Sequence, residues 1–231
     1  MVRQFGSGRR HPRCGGVAAA FEAGYADGDG RRMRGGGVEM RKLASFLMLT
    51  LDGYFEGESP WAIDWHNVDD EFNDFAIKQL DESDRLVFGR ATYLGMAQYW
   101  PSAEALKNDP EVAARMNSAP KIVVSRTLEE PEPPWANTRL IRDPRELETL
   151  KEAEGKDLLV LGSSVLTTSL MEMNLLDELR IIVNPVLIGA GNSLSSSAGR
   201  RISLKLLSTR EFRSGNVLLT YEPVPVKMGA R

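Results

Sequence analysis

From Met40 onward the sequence predicts a three-layer α/β/α fold built on a mixed, mostly parallel sheet that ends in an antiparallel hairpin. Three observations carry this. Short β-branched and apolar runs alternate with longer amphipathic stretches, the pattern of strands joined by helices. Several of those runs end in a glycine or a hydroxyl residue where a helix should start. The last segment has no intervening helical stretch and turns around Ser214-Gly215-Asn216, which fits a hairpin.

The elements follow in order. Leu43 to Leu49 is apolar enough for a strand covered on both faces, and Asp52-Gly53 then turns the chain. Val68, Phe72, Phe75, Ile77 and Leu80 recur at roughly helical spacing, so residues 68–80 form a helix. Arg85 to Phe88 reads as the next strand, followed by a short helix over 91–99 and another over 103–116. Lys121 to Val124 is a strand and Thr138 to Ile141 a weaker one, after which Pro144 sits in the first turn of a helix reaching about Glu152. Asp157 to Leu161 is a strand, 163–173 a helix, and 179–187 a long strand interrupted by Pro185. The hairpin pairs 203–208 with 211–221.

Composition narrows the chemistry. Of 231 residues, 42% are hydrophobic and 26% charged, an ordinary globular balance. Residues 1–39 differ: they hold seven of the 29 basic and four of the 32 acidic residues, with ten glycines. That leader carries +3 and the remainder −6, and its composition cannot bury enough apolar surface to offset the entropy of ordering. The expectation is a disordered Arg/Gly-rich leader over 1–39 and one folded domain over 40–231. An acidic domain offers no field for a phosphate backbone, so nucleic acid is not an expected partner. Cys14 is the single cysteine and His11 and His66 are the only histidines, which excludes an intramolecular disulfide and argues against a metal site or a Ser-His-Asp triad. No run of eighteen apolar residues could span a membrane, and the expected location is the cytoplasm.

Three strand ends carry residues suited to a phosphate-bearing ligand. Gly89, Arg90 and Thr92 follow one strand, Ser125 and Arg126 a second, and Gly162, Ser163, Ser164 and Val165 a third. A helix N-terminus presents unpaired N–H groups and partial positive charge, glycine lets an anion approach the backbone, and arginine supplies planar donors. Each segment alone is compatible with ordinary turn and capping chemistry. The G-x-G-x-x-G of a dinucleotide-binding Rossmann unit is not present after the first strand.

The succession LASFLMLTLDGYF, LVFGRATYLGMAQYWP, KIVVSRTL and LVLGSSVLTTSLMEMNLLDELRIIVNPVLIGAGNSL resembles the family built on the C-terminal reductase domain of the bacterial bifunctional riboflavin-biosynthesis deaminase-reductase. That family lies in the dihydrofolate-reductase-like superfamily, and the resemblance covers residues 40 to about 223. It implies a dihydrofolate-reductase-like sheet of about eight strands, NADPH as hydride donor, and commonly a homodimer. Gly89, Arg90 and Thr92 would then lie along the cofactor phosphates, Ser125 and Arg126 near the adenosine 2′-phosphate, and Gly162, Ser163, Ser164 and Val165 under the pyrophosphate. Asp52 would face the substrate and nicotinamide, as the group that orients substrate or relays a proton. Ser163 departs from the second glycine of many relatives, and GNSLSSS from a more apolar continuation.

The function this implies is an NADPH-dependent reduction of a small pyrimidine- or pterin-like substrate, resembling 5-amino-6-(5-phosphoribosylamino)uracil reductase. A non-catalytic nucleotide-binding module of the same fold is the alternative. Trp61, Trp65, Trp100, Tyr54 and Phe55 are candidate walls for a flat substrate, with core packing as the competing reading, and Asp69, Asp70, Glu71 and Asp74 are candidate helix carboxylates. If the leader contributes nothing to the fold, a chain of residues 40–231 retains the full-length melting temperature and NADPH affinity. A drop of several degrees, or lost binding, contradicts that division.

Overall fold

The computed structural model describes residues 40–225, so the expectation for the 1–39 leader lies outside the described residues. Eight strands form one sheet: β1 (Leu43–Thr50), β3 (Ser83–Gly89), β4 (Lys121–Val124), β5 (Thr138–Ile141), β6 (Asp157–Leu161), β7 (Glu178–Asn184), β9 (Leu204–Glu211) and β10 (Val217–Pro223). Their order is β5-β4-β3-β6-β1-β7-β10-β9. The six strands from β5 to β7 pair in parallel, and β10 runs antiparallel to both β7 and β9. This is the mixed, mostly parallel sheet with a C-terminal hairpin that the patterning predicts. A second, two-stranded sheet pairs β2 (Tyr54–Glu56) with β8 (Asn192–Ser193), two segments too short and polar to announce themselves.

Burial follows from position in the sheet. All eight residues of β1 are buried, as expected of a central parallel strand with both faces covered. Alternate β1 residues serve two cores: Phe46 and Met48 join one with Phe72, Phe75, Phe88 and Tyr93, while Leu43, Leu47 and Leu49 join the other with Leu166 and Leu170. The first core is roofed by α1 (Asp70–Asp81), whose Phe72, Phe75 and Gln79 face inward and whose Asp69 side chain caps the Phe72 N–H at 2.8 Å. The second core is covered by α6 (Ser164–Glu172) and by α5 (Glu146–Lys151). The outer strand β9 is exposed along its full length, its leucines Leu204, Leu206 and Leu207 as well as its charged and polar residues.

The expected helix over 68–80 runs instead over Asp70–Asp81, and the hairpin pairs Leu204–Glu211 with Val217–Pro223; two further differences have a steric cause. The helix anticipated over 103–116 is two helices, α3 (Ala103–Asn108) and α4 (Pro110–Ser118). Pro110 has no N–H to continue α3 and drives Asp109 out of the helical region, to φ −134° and ψ 60°. Likewise β7 stops at Asn184 instead of running through Pro185 to Leu187. Fully buried Asn184 uses its side chain instead, accepting from the Asn67 N–H at 2.9 Å and donating to the Leu49 carbonyl at 3.2 Å.

Between β3 and α3, α2 (Arg90–Tyr99) buries Tyr93 completely against Phe88 and Trp135. The Tyr93 hydroxyl donates to the Pro133 carbonyl at 3.0 Å and accepts from the Trp135 N–H at 3.2 Å, fixing the loop after β4. Tyr93→Phe leaves the buried Trp135 N–H without that partner, so it should cost about 1–3 kcal/mol in chemical denaturation. A loss within error of zero would mean that the loop relaxes and re-pairs.

Candidate functional site

The three strand ends singled out in the sequence belong to three adjacent strands, β4, β3 and β6. They open on one edge because all three strands are parallel, with Gly89 opposite Val124 and Val87 opposite Val160. Strand β3 runs straight into α2, whose N-cap is Gly89, and β6 reaches α6 through Gly162 and Ser163. Neither helix has a side-chain cap. Their first-turn N–H groups therefore remain available, with two positive dipole ends side by side.

The two turns are stapled to each other. The Gly89 N–H donates to Ser163 Oγ at 2.9 Å, and the Ser163 N–H donates to Thr92 Oγ1 at 3.1 Å. Gly162 and Ser163 are both left-handed, at φ +56° and +57°, a conformation that favours glycine. Serine is accommodated because its side chain makes the cross-turn bond. The hydroxyl of Ser163 also donates to the Leu161 carbonyl at 3.1 Å, so it is a structural tie.

A cleft of about 1040 Å³ opens over these turns. Gly89, Arg90 and Thr92 line it, as do Ser125 and Arg126 and the whole of Gly162, Ser163, Ser164 and Val165. Within this group the roles divide. The Ser125 hydroxyl is buried and accepts from the Thr127 and Leu128 N–H groups at 3.3 and 3.0 Å, shaping the loop. Arg126 is exposed and makes no hydrogen bond or ion pair among the described residues. Among the described residues Arg90 reaches only the Thr127 hydroxyl, at 3.4 Å.

Two further arginines line the cleft that the motifs did not include, Arg142 and Arg145. Arg142 donates to the carbonyls of Ser125, Leu128 and Glu129 and so pins the loop that carries Arg126. Both follow β5, the fourth parallel strand end on this edge, and that placement was the signal available for them.

Asp52 is a departure from expectation. It does not line the cleft, and its carboxylate accepts from the Ile188 and Gly189 N–H groups at 3.1 and 2.8 Å. The Thr50 hydroxyl, followed by the backbone N–H groups of Gly189, Asp52 and Ile188, holds its carboxyl below the usual carboxylate range. Asp52-Gly53 is a turn, and the aspartate ties it to the loop after β7, next to the β2–β8 pair. The GNSLSSS departure is part of the same structure, since Asn192 and Ser193 form β8 and 194–197 a 3-10 turn.

A second cavity of about 930 Å³ adjoins the first beneath α1, α2 and α4. The two share Met48 of β1, Met96 of α2, Gly162, and the loop residues Trp61, Ile63 and His66. Trp61 lies flat enough on α2 that a Cβ on Gly95 would come within 2.0 Å of its ring. Of the five expected aromatic walls, Trp61, Trp100 and Phe55 line these cavities, whereas Trp65 packs against the first core and the Tyr54 hydroxyl bonds the Gly189 carbonyl. The carboxylates Asp69, Asp70, Glu71 and Asp74 line neither cavity: Asp69 caps α1, and Glu71 holds Arg210 and Arg213. Helix α1 instead presents Asn73 and Gln79.

His66, on the wall common to both cavities, has a buried Nε2 with no hydrogen-bond partner among the described residues and an edge contact to Trp65 at 4.5 Å. Burial lowers its pKa from 6.5 to about 4, so the imidazole is neutral at physiological pH. The unfolded chain then binds the proton more tightly than the folded one, and stability falls as pH drops from 6.5 toward 4. The loss should reach about 3 kcal/mol by the lower end. In His66→Phe this component vanishes, so denaturation curves should show a flatter pH dependence across the window; identical slopes would mean that His66 titrates normally.

Comparison with known proteins places this geometry. Residues 41–218 match the family model of the RibD C-terminal domain. The uncharacterized protein YyaP of Bacillus subtilis (strain 168) is 32% identical over 188 residues, covering 80% of this chain and 96% of YyaP. Among solved structures, a putative riboflavin biosynthesis protein from Shewanella sp. PV-4 superposes with a TM-score of 0.60 at 23% identity, covering 79% of this chain and 99% of that one. Dihydrofolate reductase from Enterococcus faecalis, solved with NADP(H), gives 0.51 at 16% identity over 79% of this chain and 96% of its own. The fold is thus dihydrofolate-reductase-like, and with its match spanning nearly all of the described sheet, the chain belongs to the RibD C-terminal domain family.

Proposed function

We propose that this protein is an NADPH-dependent reductase of a small planar substrate. The observation that carries the proposal is the meeting, in one cleft, of three parallel strand ends, two helix N-termini without side-chain caps and an arginine with no partner among the described residues. That donor set fits a dinucleotide phosphate: first-turn N–H groups of α2 and α6 for the pyrophosphate, and Arg126 for a 2′-phosphate. The solved relative bound to NADP(H) has the same fold, and the family's reductase character supports the same reading.

NADPH supplies a hydride when bound, so the protein needs few reactive groups. Its own residues bind, orient and exclude water. The arginines and helix ends anchor one end of the ligand in the first cleft. Met48, Trp61, Met96 and Gly162 form the junction through which the first cleft meets the second, where an acceptor would face it. Asp52 takes no proton in this reading; it acts on the site only through the loop that it ties to residues 188 and 189.

Two substitutions test the assignment from opposite directions. Arg126→Ala should weaken NADPH by about ten- to a hundredfold and leave NADH unchanged in fluorescence titrations, since hydrogen bonds to charged groups contribute about 1.5–3 kcal/mol. Equal losses for both cofactors would show that Arg126 supports the loop without reading the phosphate. Val165 is 66% exposed in the first turn of α6 and lines the cleft. Val165→Asp should raise thermal stability slightly, by about 0.3–1 kcal/mol through the helix dipole, while cutting NADPH affinity by at least about tenfold. Undiminished affinity in that variant would remove α6 from the phosphate site.

A further inference from the structure

We infer that the acceptor of this protein is a planar molecule without a phosphate, neutral or positively charged, held in the second cavity. This rests on the reading of the first cleft as the dinucleotide site. It sets the protein apart from a reductase of phosphoribosylated pyrimidines.

The basis is a division of charge between two adjoining cavities. Arg90, Arg126, Arg142 and Arg145 all line the first, outnumbering its carboxylates Glu56 and Asp143. Among the described residues, no lysine or arginine lines the second, whereas Glu104 and Asp109 do. The remaining walls are largely apolar, with Phe72 and Ala76 from α1, Met116 from α4 and Trp100 closing the far side. A phosphate dianion placed here would have no cation to pair with and two carboxylates to repel it.

The negative character reaches the groups around it. The Tyr99 phenol on the same wall has its pKa raised, first by burial and then by the charges of Asp109 and Glu104. The polar atoms suit an uncharged ring. The Asn73 amide donates to Asp109 Oδ1 over a long 3.5 Å, so this pair can turn toward a ligand carrying N–H and C=O groups. Trp61 and Trp100 give flat faces on which a ring can lie.

A fluorescent planar ring that exists with and without a phosphate provides the test: riboflavin and its 5′-phosphate. Binding is followed by fluorescence quenching of each flavin with the full chain, in saturating NADP+ so that the arginines of the first cleft are occupied. Riboflavin should bind at least about tenfold more tightly than its phosphate. Asp109→Asn should shrink that ratio severalfold with NADP+ affinity unchanged, because it removes one repelling charge and keeps the shape. Equal or tighter binding of the phosphorylated flavin, or no saturable binding of either, overturns the inference. A separate NADP+ titration keeps the two claims apart: if NADP+ fails to bind while riboflavin still outcompetes its phosphate, the reductase reading falls and the second cavity keeps its assignment.

Discussion

The reciprocal hydrogen bonds between the β3–α2 and β6–α6 turns govern the geometry of the whole cleft. Two N–H groups that would otherwise face the cleft, those of Gly89 and Ser163, are satisfied by side chains of the opposite turn. The turns are thereby locked at one spacing, and the first-turn N–H groups beyond them keep their donors free. A parallel sheet makes this possible. Adjacent parallel strands end on the same edge and each hands the chain to its own helix, so neighbouring crossovers place neighbouring dipoles together. The loop after β4 joins this edge through a different device, the buried Ser125 hydroxyl and the Arg142 guanidinium, and that rigid loop holds Arg126 out toward the cleft.

The second consequence of the topology is the loop that follows β1. Residues 51–56 are zipped to 186–193 by the Asp52 carboxylate and the β2–β8 pair, while Asn184 fastens the far end at Asn67. Trp61 and His66 are carried between those ties and form the shared wall of the two cavities. A single segment thus decides where one cavity stops and the other starts. Gly95 is part of that decision, since only a residue without a side chain lets the indole settle on α2. The same wall separates a cleft in which four arginines outnumber Glu56 and Asp143 from a cavity lined by Glu104, Asp109 and mostly apolar residues.

Much of this was legible in the sequence. The apolar run of β1, the three Gly- or hydroxyl-bearing strand ends and the closing hairpin all carry local signals, because burial on both faces, helix initiation and tight turns each restrict residue type. What was not legible is pairing across the chain. Nothing in GRAT, SRT or GSSV says that β4, β3 and β6 are adjacent, or that the Ser125 and Ser163 hydroxyls are used internally. Asp52 misled for a related reason: an Asp-Gly pair after a central strand has the same local appearance whether its carboxylate faces a ligand or, as here, the backbone of residues 188 and 189. Pro110 and Pro185 limited α3 and β7 by steric rules that the residues themselves state, and both were readable. His66, isolated in sequence, became informative only through the burial that surrounds it.

The central claim is that a dinucleotide phosphate sits on the paired N-termini of α2 and α6. Backbone amide chemical shifts followed during titration with NADP+ test it most directly, since they report on the donors themselves and require no substrate. The largest changes should fall on Arg90 to Thr92 and Ser164 to Val165, with a lesser set on Arg126 and almost none on the turn at Asp52 and Gly53. Changes concentrated elsewhere on the sheet, or saturable binding that leaves both helix ends unmoved, would contradict it.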